Sequence, residues 1–301
     1  MSEIDRRSFV AALAALSCSF RLKAEDRRIQ AEGRRKMRLG YAAITWGGND
    51  EQAIDDISEV GFRGIQLRAS AFDKWGASPG DLRALLQRRR VEFAGLSSGN
   101  LQIDPASEGQ QVDLHLSHAA FVRDAGGQFI QVIDEKPKDH AVGPDDYKRL
   151  GQLMSELGRR TAAIGVPLVY HHHMNSIGQP PQAIDAILDA SDPASVGLLF
   201  DIAHYEQGGG DPVAGIRRHA KRIKVVHLKD VRAIDASPGY QWVELGRGRV
   251  DVKGCVTALR EAGFDGWTIV ELDRVVDAAG SPKTSAVANR DYVITRLGLT
   301  L

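Results

Sequence analysis

The chain has 301 residues, of which 43% are hydrophobic, so it is long enough to bury one sizeable core. Its 39 Lys and Arg balance 39 Asp and Glu, but the first 38 residues hold ten basic and five acidic residues, which leaves 29 and 34 in the remainder, a net charge of −5. The remainder therefore lacks the basic excess typical of nucleic-acid binding, and the two cysteines, Cys18 and Cys255, exclude a disulfide framework and a thiolate metal site.

Residues 1–37 are predicted to form an export signal and a linker. Arg6 and Arg7 precede Phe9 and a short Ala/Leu run, which is the arrangement of a twin-arginine signal. The alternative is an amphipathic or disordered extension on a cytoplasmic protein. Residues 21–37 are dense in Arg, Lys and Glu, as in a solvated linker. We therefore expect export to the periplasm, and no membrane association of the mature chain because no apolar run is long enough to span a bilayer.

From residue 38 to residue 301 the sequence alternates eight strand patterns with eight helix patterns. The strand patterns are apolar almost throughout, as expected for parallel strands that are covered on both faces. They span Arg38–Ala43, Gly64–Arg68, Val91–Leu96, Gln128–Ile133, Val166–His171, Val196–Asp201, Ile223–Leu228 and Trp267–Leu272. The helix patterns span Glu51–Val60, Pro79–Arg89, Gln110–Ala125, Pro144–Ile164, Pro181–Ala190, Pro212–Lys221, Val252–Ala262 and Ser285–Leu297.

Local signals mark the ends of these helices. Ser78 and Asp211 stand where a side chain is expected to cap a helix N-terminus. Glycines that favour a left-handed C-cap follow four helices: Gly61, Gly126, Gly165 and Gly263. Eight strand–helix units predict an α/β protein with a single (β/α)8 TIM barrel over residues 38–301. An open doubly wound sheet is disfavoured because no Gly-x-Gly-x-x-Gly follows the first strand.

Four metal-ligand residues occupy equivalent positions at the ends of predicted strands: His171, Asp201, His227 and Glu271. In a barrel the C-terminal ends of the strands meet at one mouth, so these side chains are expected to converge. Two imidazoles and two carboxylates suit a divalent cation such as Mn²⁺, Co²⁺, Mg²⁺ or Zn²⁺. One such residue alone is more often a satisfied strand-end side chain, but four at equivalent positions predict a metal centre.

Three consecutive histidines end the fifth strand. Alternation along an extended segment points His171 and His173 to one side and His172 to the other. We expect one of the inward pair to bind the metal, with His171 as the ligand, and His173 to contact the substrate. His204, three residues after Asp201, is predicted to donate to a substrate hydroxyl; the alternative is a histidine on a surface loop.

Three further side chains are candidates for the active site. Glu135 follows a buried strand and is predicted to act as a general acid or base, unless it pairs with Lys136. Lys229 is predicted to stabilise negative charge on oxygen, unless it is a solvated partner of Asp230. Trp46 is predicted to form an apolar wall against a sugar ring, although it would also pack at a barrel mouth for its own sake.

The segment Leu245–Asp251 contains arginines spaced by glycines and precedes a helix. This pattern is compatible with anion binding. The Gly-x-Gly spacing alone is weak support for a phosphate site.

Four segments resemble the xylose-isomerase-like superfamily of sugar isomerases and epimerases and, more narrowly, the inosose dehydratases. They are Tyr170–Met174, Val196–His204, Val225–Val231 and Gly266–Glu271, within a similarity that runs over residues 39–297. The resemblance implies that Asp201, His227 and Glu271 are metal ligands. Sugar epimerases of this group carry a glutamate where this chain has His171, and in this respect the chain resembles the dehydratases.

That histidine changes the expected chemistry. Epimerases of this group use two metal-bound glutamates to move a proton across an enediolate, and His171 takes the place of one of them. The resemblance therefore favours elimination from a keto-cyclitol or keto-sugar, with Glu271 as base and Lys229 stabilising the enolate. Glu135, His173 and His204 would then place hydroxyls or act as the acid.

Two other functions remain open from the sequence. One is an aldose–ketose isomerase or ketose epimerase, and the other is an exported barrel that binds sugars without turnover. Gln66 in the second strand stands where related dehydratases look acidic, which argues against assigning a substrate from the resemblance. A small sugar or cyclitol is the expected partner, nucleic acid is not, and a homo-oligomer is left open.

Overall fold

The computed structural model describes residues 37–301, so the expected signal and linker lie outside the described residues apart from Met37. The strands are β1 (Arg38–Ala42), β2 (Gly64–Arg68), β3 (Glu92–Leu101), β4 (Phe129–Asp134), β5 (Leu168–His171), β6 (Val196–Asp201), β7 (Ile223–Leu228), β8 (Asp230–Ala233), β9 (Tyr240–Val243) and β10 (Trp267–Val270). Eight of them close into a parallel barrel in the order β1-β10-β7-β6-β5-β4-β3-β2, while β8 and β9 form a separate antiparallel hairpin. The predicted single (β/α)8 barrel is confirmed.

Helices connect consecutive barrel strands. They are α1 (Asp50–Val60), α2 (Ser70–Trp75), α3 (Pro79–Arg89), α4 (Glu108–Ala125), α5 (Pro144–Ala163), α6 (Pro181–Asp189), α7 (Ile202–Gln207), α8 (Pro212–His219), α9 (Val252–Glu261) and α10 (Pro282–Thr295). A 3₁₀ turn, Ala43–Trp46, follows β1. None of the described helices is both long and apolar enough to cross a bilayer.

All eight predicted strands and all eight predicted helices are present, with ends that differ by a few residues. The largest difference is β3, which continues past the predicted end at Leu96 to Leu101 because Asn100 and Leu101 pair with Ile133 and Asp134 of β4. The two short helices α2 and α7 and the β8–β9 hairpin were not predicted from the sequence. These segments are too short to show a clear hydrophobic period.

The structure tests the predicted helix caps. Asp211 Oδ1 accepts hydrogen bonds from the amides of Val213 and Ala214, so this N-cap is confirmed. Ser78 occupies the predicted N-cap position of α3, but its side chain makes no capping hydrogen bond. The four predicted C-cap glycines all have positive φ angles, between 67° and 109°.

Two buried clusters define the core. The larger lies between the barrel and its helices, and the smaller fills the barrel interior with side chains that alternate along the strands. The interior cluster comprises Ala42, Ala94, Phe129, Val169, Leu199, Val225, Trp267 and Ile269. Two residues further along five of these strands the interior positions are polar: Gln131, His171, Asp201, His227 and Glu271. Because side chains two residues apart on a strand point the same way, a polar layer lies directly above the apolar one, at the C-terminal mouth of the barrel.

Candidate metal centre and active site

The four predicted metal ligands converge at the mouth of the barrel. His227 Nδ1 lies 3.4 Å from Asp201 Oδ2 and 3.4 Å from Glu271 Oε2. His171 Nε2 lies 3.6 Å from the same Asp201 oxygen. All four side chains are buried, Glu271 the least so at 8% exposure. Strands β5, β6 and β7 and the residue after β10 therefore bring together groups that are 100 residues apart in sequence.

Three atoms of this cluster have no hydrogen-bond partner among the described residues: His171 Nε2, Asp201 Oδ2 and His227 Nδ1. An unsatisfied buried polar atom costs about 1–3 kcal/mol. Two groups of three side chains have ligand atoms that all lie within 4.8 Å of one another. One group is Asp201, His227 and Glu271, and the other is His171, Asp201 and His204. Imidazole nitrogens and carboxylate oxygens that face one another without partners are the donor set that a divalent cation requires.

The backbone amides of Ala203 and His204 aim the Asp201 carboxylate at the centre. Its Oδ1 accepts hydrogen bonds of 2.9 Å from the amides of Ala203 and His204 and so caps helix α7. The cap fixes the carboxylate and leaves Oδ2 to face the two imidazoles. The neighbouring His204, His171, His227 and the Lys229 ammonium outweigh the burial that opposes ionisation, and they hold the pKa of Asp201 well below its usual range.

The two imidazoles of the centre differ electrostatically. Burial lowers the pKa of His171 to about 4, because the nearby Asp201 carboxylate compensates only part of the desolvation. Burial also opposes charge on His227, but the carboxylates of Glu271 and Asp201 outweigh it and raise its pKa to about 9. In the absence of a cation His227 is therefore protonated at neutral pH and His171 is neutral.

Lys229 is buried to 1% exposure beside the centre. Its Nζ lies 2.8 Å from Glu271 Oε1, 2.5 Å from Asp273 Oδ1 and 4.7 Å from the centre of the Trp242 ring. Burial disfavours the ammonium form, but Asp273 and Glu271 outweigh it and raise the pKa of Lys229. The side chain is thus a fixed cation rather than a base. Asp273 and Trp242 were not predicted from the sequence, because no motif marks either residue. Trp242 lies on the β8–β9 hairpin.

The histidines around the centre have defined tautomers. Met174 N–H donates to His204 Nδ1 at 3.1 Å, so the proton of a neutral His204 is on Nε2. His173 Nδ1 donates to Met174 O at 2.7 Å, which leaves its Nε2 as an acceptor. The His173 and His204 rings pack at 3.9 Å, and the His204 ring lies 4.6 Å from Trp242. His204 is thus a hydrogen-bond donor at the centre, and the half-buried His173 is a candidate base.

His172 points away from the centre, as the alternation predicts. Its ring packs against Phe200 and Tyr205, and its Nε2 accepts from the amide of Asp201 at 3.3 Å. The side chain therefore supports β6 from outside the barrel.

Two predicted site residues do not contact this cluster. Glu135 accepts from Gln102 at 2.9 Å, lies 3.5 Å from Lys138 and lines a neighbouring cavity of about 610 Å³ at the rim. Trp46 is 8% exposed and donates its indole N–H to Asp56 at 2.9 Å. The roles proposed for Glu135 and Trp46 stay predictions, since both side chains are engaged by other partners in this structure.

The glycine-spaced loop binds an internal carboxylate rather than an external anion. The two carboxylate oxygens of Asp230 accept from the amides of Gly246 and Gly248 at 2.9 Å and of Val250 at 3.1 Å. A Cβ on Gly248 would lie 2.1 Å from Asp230 Oδ1, so only glycine allows this approach. The backbone amides of Gly246, Gly248 and Val250 are therefore already used within the fold.

The sequence matches the xylose isomerase-like TIM barrel family over residues 54–293. The chain belongs to this family. An inosose dehydratase from Lacticaseibacillus casei is 29% identical over 294 residues, which cover 85% of this chain and 95% of that one. The rhizopine catabolism protein MocC from Rhizobium meliloti is 28% identical over 292 residues, which cover 84% and 86%.

Solved structures share the fold of this chain at low sequence identity. A structure of the IolI protein with a bound zinc atom matches with a TM-score of 0.73 at 16% identity, covering 87% of this chain and 98% of that one. An L-ribulose 3-epimerase matches with a TM-score of 0.71 at 16% identity, covering 87% and 95%. The resemblance read from the four sequence segments is thus confirmed at the level of the family.

Proposed function

We propose that this protein is a divalent-metal-dependent lyase that removes the proton next to the carbonyl of a keto-cyclitol or keto-sugar and eliminates water. One observation carries the proposal. His171 Nε2, Asp201 Oδ2 and His227 Nδ1 are buried, unpartnered and face one another, next to the fixed ammonium of Lys229. The relatives named inosose dehydratase, at 26–29% identity, support the choice of substrate class.

Asp201, His227 and Glu271 would hold the cation, and His171 faces the same space. Mn²⁺, Co²⁺, Mg²⁺ and Zn²⁺ are all compatible with this donor set. A bound divalent cation would polarise the substrate carbonyl and stabilise the negative charge that develops on its oxygen. The buried Lys229 ammonium adds positive charge beside Glu271, where it complements the same developing charge.

We assign proton removal to His173. Glu271 was expected to be the base, but His227 and Lys229 outweigh its burial and hold its pKa well below the usual range, which makes it a weak base. His173 donates through Nδ1 to Met174 O, so its Nε2 lone pair is available. His173 takes the C–H proton, the electron pair forms the new C=C bond, and the β C–O bond breaks. The imidazolium then returns the proton to the departing oxygen, which leaves as water.

His204 would orient the substrate in this scheme. Its Nδ1 accepts from the Met174 amide, so the proton of a neutral His204 is on Nε2, which lies 3.4 Å from Lys229 Nζ and would donate to a substrate hydroxyl. Its ring lies between those of His173 and Trp242, which limits its rotation. A fixed donor of this kind positions a polyol without taking part in proton transfer.

An isomerase or epimerase is the alternative, supported by the structural likeness to L-ribulose 3-epimerase. Incubation in D₂O with a panel of keto-cyclitols and ketoses, after loading with each divalent metal, separates the two by product NMR. Loss of water with an α,β-unsaturated or tautomerised product is expected. An isomeric product that has lost no water would overturn the lyase proposal in favour of the alternative, and stoichiometric binding without either reaction would indicate a sugar-binding barrel.

A His173→Gln variant tests the assigned base. It should retain stoichiometric metal, because His173 is not among the proposed ligands, and should lose substrate C–H exchange with D₂O. Full exchange in this variant would remove His173 from the mechanism and return the role to Glu271.

We also propose export through the twin-arginine route. Replacing Arg6 and Arg7 together by Lys should keep the protein in the cytoplasm of its host, since that pathway reads the arginine pair. The matched control replaces Arg27 and Arg28, a second arginine pair in the linker. Equal periplasmic recovery of both variants would argue against the twin-arginine route.

A further inference from the structure

Two buried glutamines connect the imidazoles of the candidate metal centre from behind. His227 Nε2 lies 2.8 Å from Gln66 Oε1, Gln66 Nε2 donates to Gln131 Oε1, and Gln131 Nε2 lies 2.8 Å from His171 Nδ1. Gln131 Nε2 is also 3.2 Å from Ser97 Oγ, so both of its hydrogens have acceptors. Each glutamine is 2% exposed. We call Gln66 and Gln131 the glutamine relay.

The relay has a direction. A primary amide accepts at its oxygen and donates at its nitrogen, so two amides in series take an N–H from one imidazole and give an N–H to the other. A neutral imidazole has a single N–H. The imidazole that donates to the relay keeps a bare nitrogen towards the centre, and the one that accepts carries its proton towards the centre. Rotating both glutamine amides by 180° exchanges the roles of the two imidazoles. In neither orientation do both imidazoles present an unprotonated nitrogen to the centre.

The surroundings favour His227 as the imidazole with the bare nitrogen. Its Nδ1 lies 3.4 Å from a carboxylate oxygen of Asp201 and 3.4 Å from one of Glu271, so these three side chains form a compact ligand set. His171 Nε2 has one carboxylate oxygen nearby, Asp201 Oδ2 at 3.6 Å, which suits an N–H that points at an acceptor. In the structure the amides of Gln66 and Gln131 are oriented so that His227 donates to Gln66 and His171 accepts from Gln131, which produces this arrangement.

We propose that the glutamine relay gives the two imidazoles different tasks. His227 coordinates the cation through Nδ1 together with Asp201 and Glu271, while His171 donates its Nε2–H to Asp201 or to a substrate oxygen. Gln66 and Gln131 are positioning residues that act through the histidines. The inference rests on the proposed metal centre and reduces its protein ligands from four to three, which leaves more coordination positions for a substrate carbonyl and hydroxyl.

The tautomers can be read directly in the zinc-loaded protein. Two-bond ¹H–¹⁵N correlation spectra of ¹⁵N-histidine-labelled protein distinguish a metal-bound nitrogen, an N–H nitrogen and a bare nitrogen. Signals are assigned by comparison with His171→Asn and His227→Asn. We expect metal-bound Nδ1 with Nε2–H for His227, and Nε2–H with unprotonated Nδ1 for His171.

A Gln66→Glu variant tests the relay itself. The introduced carboxylate accepts at both ends, so Gln131 is free to turn its oxygen to His171 Nδ1 and both imidazoles can present bare nitrogens. His171 Nε2 should then acquire the metal-bound signature, and the Zn²⁺ dissociation constant in a chelator competition should fall roughly ten- to a hundredfold, the usual scale of outer-shell effects. The control, Gln128→Glu, makes the same change at the opposite end of the barrel, where Gln128 Oε1 accepts from Arg38 and Trp267. It should change neither the His171 Nε2 signature nor the Zn²⁺ dissociation constant.

The outcomes separate this inference from the function on which it rests. Zn²⁺ held by both imidazoles in the wild type, or by His171 instead of His227, would overturn the relay proposal and leave the metal centre intact. An unchanged His171 signature in Gln66→Glu would also overturn it. Failure of the wild type to bind Zn²⁺ stoichiometrically would overturn the metal centre and the relay proposal together.

Discussion

Lys229 Nζ lies 2.8 Å from Glu271 Oε1 and 2.5 Å from Asp273 Oδ1, so one buried ammonium joins two carboxylates at the mouth of the barrel. The two carboxylates would repel each other without it. Its position also explains why a lysine follows the His227 strand without reaching solvent: the Trp242 ring covers it. Lys229 thus links the proposed ligand Glu271 to Asp273, which lies outside the metal centre.

Replacing Lys229 by Met should therefore affect both activity and stability. Loss of a preorganised charge at the reacting oxygen is expected to lower kcat roughly 10²- to 10³-fold. Leaving buried carboxylates without their cation should cost about 3 kcal/mol of unfolding free energy at neutral pH, measured by urea titration. Lys224→Met, on the same strand but exposed, is the control and should change neither quantity. Wild-type kcat in the Lys229 variant would exclude its electrostatic role.

Asp201→Asn separates the cap of α7 from the metal site. The amide oxygen can still accept from Ala203 and His204 as Oδ1 does now, but the charge that faces the imidazoles from Oδ2 is lost. We expect a fold that is unchanged by circular dichroism and at least a hundredfold weaker binding of divalent metal, a loss on or above the scale of outer-shell substitutions. Asp211→Asn, the exposed cap of α8, should bind metal normally. Equal metal affinity in the two variants would contradict the proposed centre.

Removal of metal should lower the thermal stability of the wild type. Binding to the folded state alone stabilises it by about 2.7 kcal/mol at a hundredfold excess over Kd. Exhaustive chelation should therefore lower Tm by several degrees, and only a metal that occupies the centre should restore it. The Asp201→Asn protein is the control, since chelation should leave its Tm nearly unchanged.

Gly248 is expected to be irreplaceable in the loop around Asp230. Its α-carbon faces Asp230 Oδ1, and a methyl group there would displace the carboxylate from the amides it now holds. Gly248→Ala should lose roughly 2–3 kcal/mol of unfolding free energy, in line with unsatisfied buried polar groups. Gly109→Ala, in helix α4 with open space around it, should be neutral or stabilised by up to about 1 kcal/mol. Similar stabilities of the two variants would show that the loop adapts.

His115 should make the fold acid-sensitive. Ser98 Oγ lies 2.6 Å from its Nδ1 and 2.8 Å from that of His118, and burial together with His118 lowers the pKa of His115 to about 4. Above pH 6.5 both the folded and unfolded forms are neutral. Between pH 6.5 and 4 only the unfolded chain takes up the proton, so stability falls as the pH falls, by at most about 3 kcal/mol.

Urea titrations at pH 7, 5.5 and 4.5 measure this effect. His115→Gln should show a shallower loss of stability over that range than the wild type. His140→Gln is the control of opposite sign, because the hydrogen bonds that the exposed His140 donates to Asp146 and Asp139 raise its pKa. Parallel curves for wild type and His115→Gln would show that the buried imidazole does not set the acid sensitivity.

The sequence by itself determined the barrel and the four residues of the candidate centre. Apolar runs of strand length can be recognised in a short stretch of sequence. The same is true of the position of the four site residues, each two residues beyond a barrel-interior side chain: His171, Asp201, His227 and Glu271. Because parallel strands in a closed barrel share one mouth, their C-terminal residues meet whatever lies between them in the chain. Position along each strand was therefore sufficient to predict convergence.

Only the tertiary structure decided what surrounds those residues. Gln66 and Gln131 are each one polar side chain in an apolar strand, and nothing local shows that they meet across the barrel and orient two imidazoles. Trp242 and Asp273 reach Lys229 from a hairpin and a loop whose paths depend on packing. The physical reason is the same throughout: strand periodicity fixes which way a side chain points, whereas the partner it finds, and hence its tautomer and charge, depends on segments far away in sequence.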